Sequence, residues 1–322
     1  MMSGVRILQG DCLATLRALP ASRAQTCVSS PPYYGLRDYG HDAQIGLEET
    51  PEAYVVRLVE VFREVRRVLR DDGTLWLNLG DSYARLGGTD RKISSTGKVG
   101  KTLKTLELLP CRKQKPPNGL KEKDLLGIPW MVAFALRADG WFLRSAIVWH
   151  KPNPMPESVR DRPTSAHEMV FLLSKRGAYF YDAAAIAEDA EESSLARLAQ
   201  NVAMQAGSLR ANGGAKTNGP MRAVGGATRN ARNVWTIATQ PYSGAHFATM
   251  PPELAERCIK AGSKPGDTVL DPFGGGGTTG LVANRLGRSA VLCELNPDYV
   301  RLAFERIVAD APLLNTVEVT AA

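Results

Sequence analysis

An open α/β sheet, mostly parallel and covered by helices on both faces, is predicted by three features of the 322-residue chain. Thr26-Cys27-Val28 runs into the loop Ser30-Pro31-Pro32-Tyr33, and Thr268-Val269-Leu270 runs into Asp271-Pro272-Phe273 and four glycines, Gly274 to Gly277. Both are short apolar runs closed by loop-forming residues, as expected of buried strands ending at a sheet edge. Third, patterns of helical period, not hairpin turns, follow these strands.

Taken in order, Val5 to Gln9 reads as a strand closed by Gly10 and Asp11, and Leu13, Leu16 and Leu19 mark a helix behind it. Residues 53–69 place Val55, Leu58, Val59, Phe62, Val65 and Leu69 at helical spacing, and Asp71-Asp72-Gly73 is expected to end that helix. Leu75-Trp76-Leu77-Asn78-Leu79 reads as a buried strand, 125–136 as a helix, and 146–149 and 169–173 as strands. Trp76, Trp130 and Trp141 are expected to pack in the core, while Trp149 sits at a strand end beside His150. Beyond the glycines come a helix from Gly280 to Leu286, a strand from Ser289 to Cys293 that ends at Glu294, and a final helix. There is no internal repeat.

Placing the last units before the first gives four successive strand-helix units whose carboxyl ends carry Gly274 to Gly277, Glu294, Asp11 and Ser30. A circularly permuted order is therefore expected, with all four features on the edge where open α/β sheets bind ligands. Glycines let backbone N–H groups approach a ligand, and a carboxylate at the next strand end accepts hydrogen bonds from ribose hydroxyls. Gly275, Gly277 and Gly280 also satisfy the G-x-G-x-x-G spacing, with Glu294 where a ribose-binding acid is expected. A nicotinamide-dependent oxidoreductase is thus an alternative, although it leaves Ser30 to Tyr33 without a role. In isolation Ser-Pro-Pro-Tyr is a stiff turn. At the end of a buried strand beside a nucleotide-type loop, it suits a methyl donor held next to a flat, stacked substrate.

Charge is unevenly placed. The chain carries a net +7, yet residues 85–123 hold 11 Lys and Arg against 3 acids and residues 197–232 hold 6 basic residues and no acid, leaving the remainder at −7. Two basic, aperiodic segments on an acidic body point to a polyanion bound at particular places. Cys12, Cys27, Cys111, Cys258 and Cys293 form no C-x-x-C pair, so reduced thiols are expected, and the four scattered histidines suggest no metal site. No signal-peptide pattern and no apolar run of membrane-spanning length is present, so a cytoplasmic location is expected.

These features resemble the amino-methyltransferases of DNA that act on N4 of cytosine or N6 of adenine, in their permuted β-type arrangement, over nearly the whole chain. Trp149-His150-Lys151-Pro152-Asn153-Pro154, Arg162-Pro163-Thr164 with His167-Glu168, and Phe171-Leu172-Leu173-Ser174-Lys175 are similar to the family's middle block. His246-Phe247-Ala248-Thr249-Met250-Pro251 is similar to the segment that closes over the donor's methionine end. The resemblance implies a Rossmann-like, S-adenosylmethionine-dependent fold in one catalytic domain over 1–322, with 85–123 and 190–235 as inserted basic loops that contact DNA. It implies a donor site of Asp11, Asp271, Phe273, Gly274, Gly276, Thr278, Thr279, Glu294, Asn296 and His246, without a metal. Ser30, Pro31, Pro32 and Tyr33 then receive the target base. Double-stranded DNA and a cognate restriction nuclease are the implied partners, and the enzyme is expected as a monomer or homodimer.

Within that family Ser at the first position of the tetrapeptide is commoner among cytosine enzymes and Asp among adenine enzymes. Ser30 therefore points to N4 of cytosine, with N6 of adenine as the alternative. A DNA-binding protein with a dead methyltransferase fold is a further alternative, against which no motif residue is lost. Tyr33, with Tyr34 as second choice, is expected to stack on a flipped base. Cys27 lies within its strand, so direct methyl transfer is expected instead of a covalent C5 mechanism.

Overall fold

The computed structural model describes residues 4–36, 44–84, 119–191, 227–240, 250–311 and 316–321. In chain order these form β1 (Gly4–Gln9), α1 (Cys12–Ala18), β2 (Ala24–Ser29), α2 (Pro51–Val68), β3 (Leu69–Leu79), α3 (Ile128–Ala138), β4 (Phe142–His150) and β5 (His167–Ser174). There follow β6 (Glu188–Asp189), β7 (Thr228–Arg229), β8 (Val234–Thr236), α4 (Pro252–Gly262), β9 (Thr268–Asp271), α5 (Thr278–Arg285), β10 (Ser289–Glu294), α6 (Pro297–Asp310) and β11 (Thr316–Ala321). Nine strands make one sheet in the order β11-β1-β10-β9-β2-β3-β5-β4-β8. Every neighbouring pair is parallel except that β5 runs antiparallel to both β3 and β4.

Helices cover both faces. On one side α1, α2 and α3 pack Leu16, Leu58, Phe62, Val65 and Leu136 against Cys27, Leu75, Leu77, Phe171 and Leu270. On the other, α4, α5 and α6 pack Leu254, Ile259, Leu281, Val300 and Ile307 against Ile7, Val28, Trp76, Val269 and Leu292. Successive residues of β3, Leu75, Trp76 and Leu77, thus enter opposite layers, the period of two that a strand imposes. Strands buried on both faces read as continuous apolar runs, which is why the sequence pattern locates them.

Four details depart from the sequence reading. α2 ends at Val68, just ahead of Asp71-Asp72-Gly73, but those three residues fall inside β3, at an irregularity where the step from Ala24 to Thr26 in β2 faces the step from Leu69 to Thr74. Gly73 is needed there, because a Cβ would lie 2.9 Å from the Arg70 carbonyl and 3.1 Å from that of Gln25. Residues after α6 are not a bare tail, since β11 pairs with β1 over its whole length. The base of the second basic segment is ordered structure as well: β6 pairs with β7, and β8 adds to the sheet edge. Its Arg232 pairs with Glu188 and its Arg229 with Glu188 and Glu191, so two acids offset these two positive charges locally. Trp130 is not core; it is 41% exposed, beside Phe134 and Phe171. The rest of both basic segments, residues 85–118 and 192–226, lies outside the described residues.

Candidate active site

The glycine-loop half of the site is built from the carboxyl ends of β9, β10 and β1. Asp271, the last residue of β9, is 4% exposed and bonded internally. Its Oδ1 accepts from Ser29 Oγ at 2.6 Å and from the Phe273 N–H at 3.0 Å, and its Oδ2 accepts from Thr279 Oγ1 at 2.7 Å. Burial pushes its carboxyl above the usual range, and the three donors oppose that shift. Glu294 closes β10, with Oε2 accepting from the Gly275 N–H at 2.7 Å and Oε1 from the Asn296 N–H at 2.8 Å. Burial raises its pKa too, against the same kind of hydrogen bonding.

The glycines divide by task. Gly274 donates to the Cys293 carbonyl at 2.8 Å and lies so near β10 that a Cβ would sit 3.0 Å from that of Leu292. Gly277, at φ +75°, precedes α5, and a Cβ there would stand 2.8 Å from that of Ala303 in α6. Gly275 differs: its φ is +48°, and a Cβ would meet nothing nearer among the described residues than the Phe273 carbonyl oxygen at 3.9 Å. Its outer side is therefore open to a ligand. From behind, Arg306 of α6 donates to the Gly276 carbonyl and to Thr278 Oγ1, both at 2.9 Å.

Of the residues expected to touch a donor, Asp271, Thr278 and Thr279 direct their side chains into the scaffold, the last two at 6% and 2% exposure. Phe273 packs edge-on against Phe62, with ring centroids 6.4 Å apart. Asn296 caps α6 by accepting from the Asp298 N–H at 2.8 Å, and Asp11 caps α1 by accepting from the Ala14 N–H at 2.9 Å. Among the described residues, what this half leaves for a ligand is the Gly275 carbonyl, the Gly276 N–H, the second oxygen of Asp11 and the remaining lone pairs of Glu294. His246 lies outside the described residues.

The other half is a cluster of side chains. Ser30 to Tyr33 leaves the end of β2; Pro31 is buried, and among the described residues its carbonyl accepts no hydrogen bond. The Pro32 carbonyl, by contrast, accepts from Tyr54 Oη at 2.9 Å. Tyr33 is half-buried with Gly80 pressed against its ring, where a Cβ would lie 2.6 Å from Cε2. Its hydroxyl donates to Glu168 Oε2 at 2.7 Å and accepts from Asn78 Nδ2 at 2.9 Å and from Ser30 Oγ at 3.3 Å. Asn78 Nδ2 also donates to Glu168 Oε2 at 2.9 Å. Lys151 pairs with Glu168 Oε1, and its ammonium sits 4.6 Å from the Trp149 ring centroid. Burial, then the Glu168 charge, holds the Tyr33 phenol well above the usual tyrosine range, so it stays protonated.

Tyr34, the second choice for stacking, is 6% exposed and packed with its ring centroid 5.6 Å from that of Tyr54. It belongs to the core. Asn78 is the residue the sequence reading passed over inside an apolar strand; a lone amide in such a run was its signal. Lys151 and Glu168 were named only as parts of similar segments, and the antiparallel β5 is what returns Glu168 to this edge beside Tyr33.

The Ser29–Asp271 bond joins the two halves, helped by Thr279 Oγ1, which also lies 3.3 Å from the Val28 carbonyl. From β9 the chain continues through α5 to β10 on one side, and from β2 through α2 to β3 on the other. The crevice between β9 and β2 is thus the topological switch point of the sheet. Among the described residues no group of three or more His, Cys, Asp or Glu is placed to hold a metal ion, and no helix is long and apolar enough to cross a membrane.

The family model for N6/N4 methyltransferases, described as DNA methylase, matches residues 24–305. The chain belongs to the N6/N4 DNA methylase family. Among its relatives, the Type II methyltransferase M.XycI of Xanthomonas campestris pv. cyanopsidis is 46% identical over 307 residues, covering 95% of this chain and 89% of that protein. M.Cfr9I of Citrobacter freundii, also a Type II methyltransferase, is 43% identical over 321 residues, covering 100% of this chain and 93% of its own. The fold matches TTHA0409 of Thermus thermophilus complexed with S-adenosyl-L-methionine at a TM-score of 0.59 and 24% identity, covering 98% and 99% of the two chains. It also matches the cytosine-N4-specific PvuII DNA methyltransferase at a TM-score of 0.62 and 18% identity, covering 99% and 96%. The methylase is thus α/β in class, with a mostly parallel, permuted sheet.

Proposed function

We propose that this methylase transfers a methyl group from S-adenosylmethionine to N4 of cytosine in duplex DNA, as the modification enzyme of a cytoplasmic Type II system with a cognate restriction nuclease. The observation that carries the reading is one crevice holding an open glycine loop on one side and, on the other, a prolyl loop that begins at Ser30 and keeps the Pro31 carbonyl unbonded among the described residues. Bound S-adenosylmethionine supplies an electrophilic sulfonium methyl. The residues fit it: the Gly275 carbonyl and the Gly276 N–H face the open side of the loop, Glu294 keeps lone pairs for ribose hydroxyls, and the second oxygen of Asp11 accepts from the adenine amine. The carboxylates of Asp11 and Glu294, beside the loop, also suit the positive charge of the donor.

The cytosine amine is conjugated with its ring and is a poor nucleophile. The Pro31 carbonyl and Ser30 Oγ accept its two protons, which favours a pyramidal nitrogen and aims the lone pair across the crevice. A base inside a duplex cannot reach this site, so it is flipped, and the side of Tyr33 away from Gly80 stacks on it. Ser30, and the specificity of the PvuII enzyme that shares the fold, support cytosine over adenine. Hydrolysed product DNA is expected to contain N4-methylcytosine; N6-methyladenine in its place would overturn the target base and leave the reaction class standing. Deleting 91–115 or 209–229 should lower the salt dependence of DNA binding, by about 0.9 in slope for each phosphate that is no longer neutralised. An unchanged slope in both deletions would remove these segments from the DNA-contacting surface.

A further inference from the structure

We infer that Glu168 is the proton acceptor of the reaction, reached from the amine through Ser30 and Tyr33; the inference rests on the amino-methylation reading above. When the nitrogen lone pair forms the new N–C bond and the S–C pair leaves with sulfur, the nitrogen is left with one proton too many. Ser30 Oγ takes the proton while passing its own to Tyr33 Oη, and Tyr33 passes its own to Glu168 Oε2. The N–H pair stays on nitrogen, and both hydroxyls end as they began.

Each link of that chain is present and points one way. Ser30 Oγ donates to Tyr33 Oη at 3.3 Å, and Tyr33 Oη donates to Glu168 Oε2 at 2.7 Å. The first link is long for a hydroxyl pair, as catalytic hydrogen bonds commonly are before substrate tightens them. Asn78 sets the direction: its Nδ2 donates to both Tyr33 Oη and Glu168 Oε2, so the phenol's lone pairs are filled by Asn78 and Ser30 and its single proton must face the carboxylate. Lys151 occupies the other oxygen, Oε1, which leaves Oε2 to the relay. Glu168 and Lys151 keep 15% and 18% of their side-chain surface exposed, giving the proton a way out to solvent. A ring that only stacked would need none of this, and Phe would serve.

Tyr33→Phe is the decisive variant, since it keeps the stacking ring and removes one hydroxyl. Glu168→Gln is its companion, because the amide still fills the site beside Lys151. Methylation of duplex DNA is followed in a single turnover at saturating donor and DNA, between about pH 5 and 9, with thermal melting and both binding affinities measured alongside. Each variant is expected to slow the methyl-transfer step by about 10²-fold or more, in the range of general-base catalysis. Both affinities should stay within about twofold. The double variant should be no slower than either single one, as members of one chain are non-additive. Both variants should share one pH profile of the transfer step, and it should differ from that of the unaltered enzyme. A Tyr33→Phe enzyme with the unaltered rate, or with the pH profile of the unaltered enzyme, overturns the relay while leaving the function in place. Absence of DNA methylation by the unaltered chain overturns both.

Discussion

The two halves of the crevice are made by opposite strategies. Around the glycine loop the polar side chains bond to nearby backbone or to each other: Glu294 to the Gly275 and Asn296 N–H groups, Asp271 to Thr279, Asn296 and Asp11 to the helices they cap. A ligand there meets chiefly backbone and spare lone pairs. Around the prolyl loop the side chains of Ser30, Tyr33, Asn78, Glu168 and Lys151 bond to one another and form a directed chain. The first half is a mould with its functional groups fixed by main chain; the second is a set of side chains whose protons can move. Substitutions in the mould should therefore change binding, and substitutions in the chain should change rate.

The largest effect is expected from Ser30→Ala, which removes one of the two acceptors for the amine protons and the entrance of the relay. Transfer at saturating donor should fall by about 10²-fold or more, while calorimetric donor affinity stays unchanged. A fall in donor affinity of similar size would erase the distinction between the halves. Next is the joint between them. Asp271→Ala leaves the buried Ser29 and Thr279 hydroxyls without their carboxylate, at about 1–3 kcal/mol for such unpaired groups, whereas Asp271→Asn keeps an acceptor for Ser29. Denaturant unfolding should rank them in that order below the parent. Equal stability of Ala and Asn would mean that the bonds across the joint contribute nothing beyond volume.

A smaller effect separates two carboxylates that looked alike in sequence. Glu294→Ala should weaken donor binding by about 0.5–1.5 kcal/mol or more, since it removes a ribose acceptor and frees the Gly275 N–H that shapes the loop. Asp11→Ala should also weaken donor binding more than DNA binding, and in addition lower stability by about 1 kcal/mol through loss of the α1 cap. Unchanged donor affinity in both variants would reject the placement of the donor across the ends of β1 and β10.

The same contrast explains what could be read from sequence. In the glycine-loop half the partners are near in the chain, Asp271 with Thr279 and Gly275 with Glu294, so strand periodicity followed by a glycine run gives away fold and site together. In the prolyl half Tyr33 meets Asn78 and Glu168 from 45 and 135 residues away in the chain, and only an antiparallel strand between two parallel ones brings Glu168 to the right edge. No local pattern encodes that return. The strand also hid Arg70 to Gly73: the Asp-Asp-Gly composition signals the end of α2, yet these residues stand inside β3 as an irregularity between the Ala24–Leu69 and Thr26–Thr74 pairings, and the glycine absorbs the close approach of two carbonyls. β11 was missed for a similar reason, as an exposed edge strand lacks the apolar run that betrays a buried one.

The finest test of the mould is its pH dependence, because Glu294 has its pKa raised, mainly by burial. The folded chain then takes up a proton on Glu294 at a pH where an ordinary glutamate, near about 4.3, is still ionised. For stability the sign follows directly: the folded state binds the proton more readily than the unfolded one, so this group favours folding below its ordinary pKa and the contribution is lost as pH rises through the raised value. Asp271, raised for the same reason, acts in the same sense. Donor binding must run the other way. A protonated Glu294 carries an O–H on one oxygen, which accepts the Gly275 or Asn296 N–H more weakly than a carboxylate oxygen does and leaves fewer lone pairs for a ligand. Donor affinity should therefore fall as pH drops through the raised value, by at most about tenfold per pH unit for a single proton. In Glu294→Gln affinity should start lower and stay flat over the same range, while the acid-side gain in stability shrinks to the part due to Asp271. Calorimetric titration with a donor analogue from about pH 8 to 5, beside thermal melts of both proteins, measures the two trends at once. Affinity and stability falling together in the unaltered chain would mean that acid loosens the whole fold, and Glu294 would then have no separate role in holding the donor.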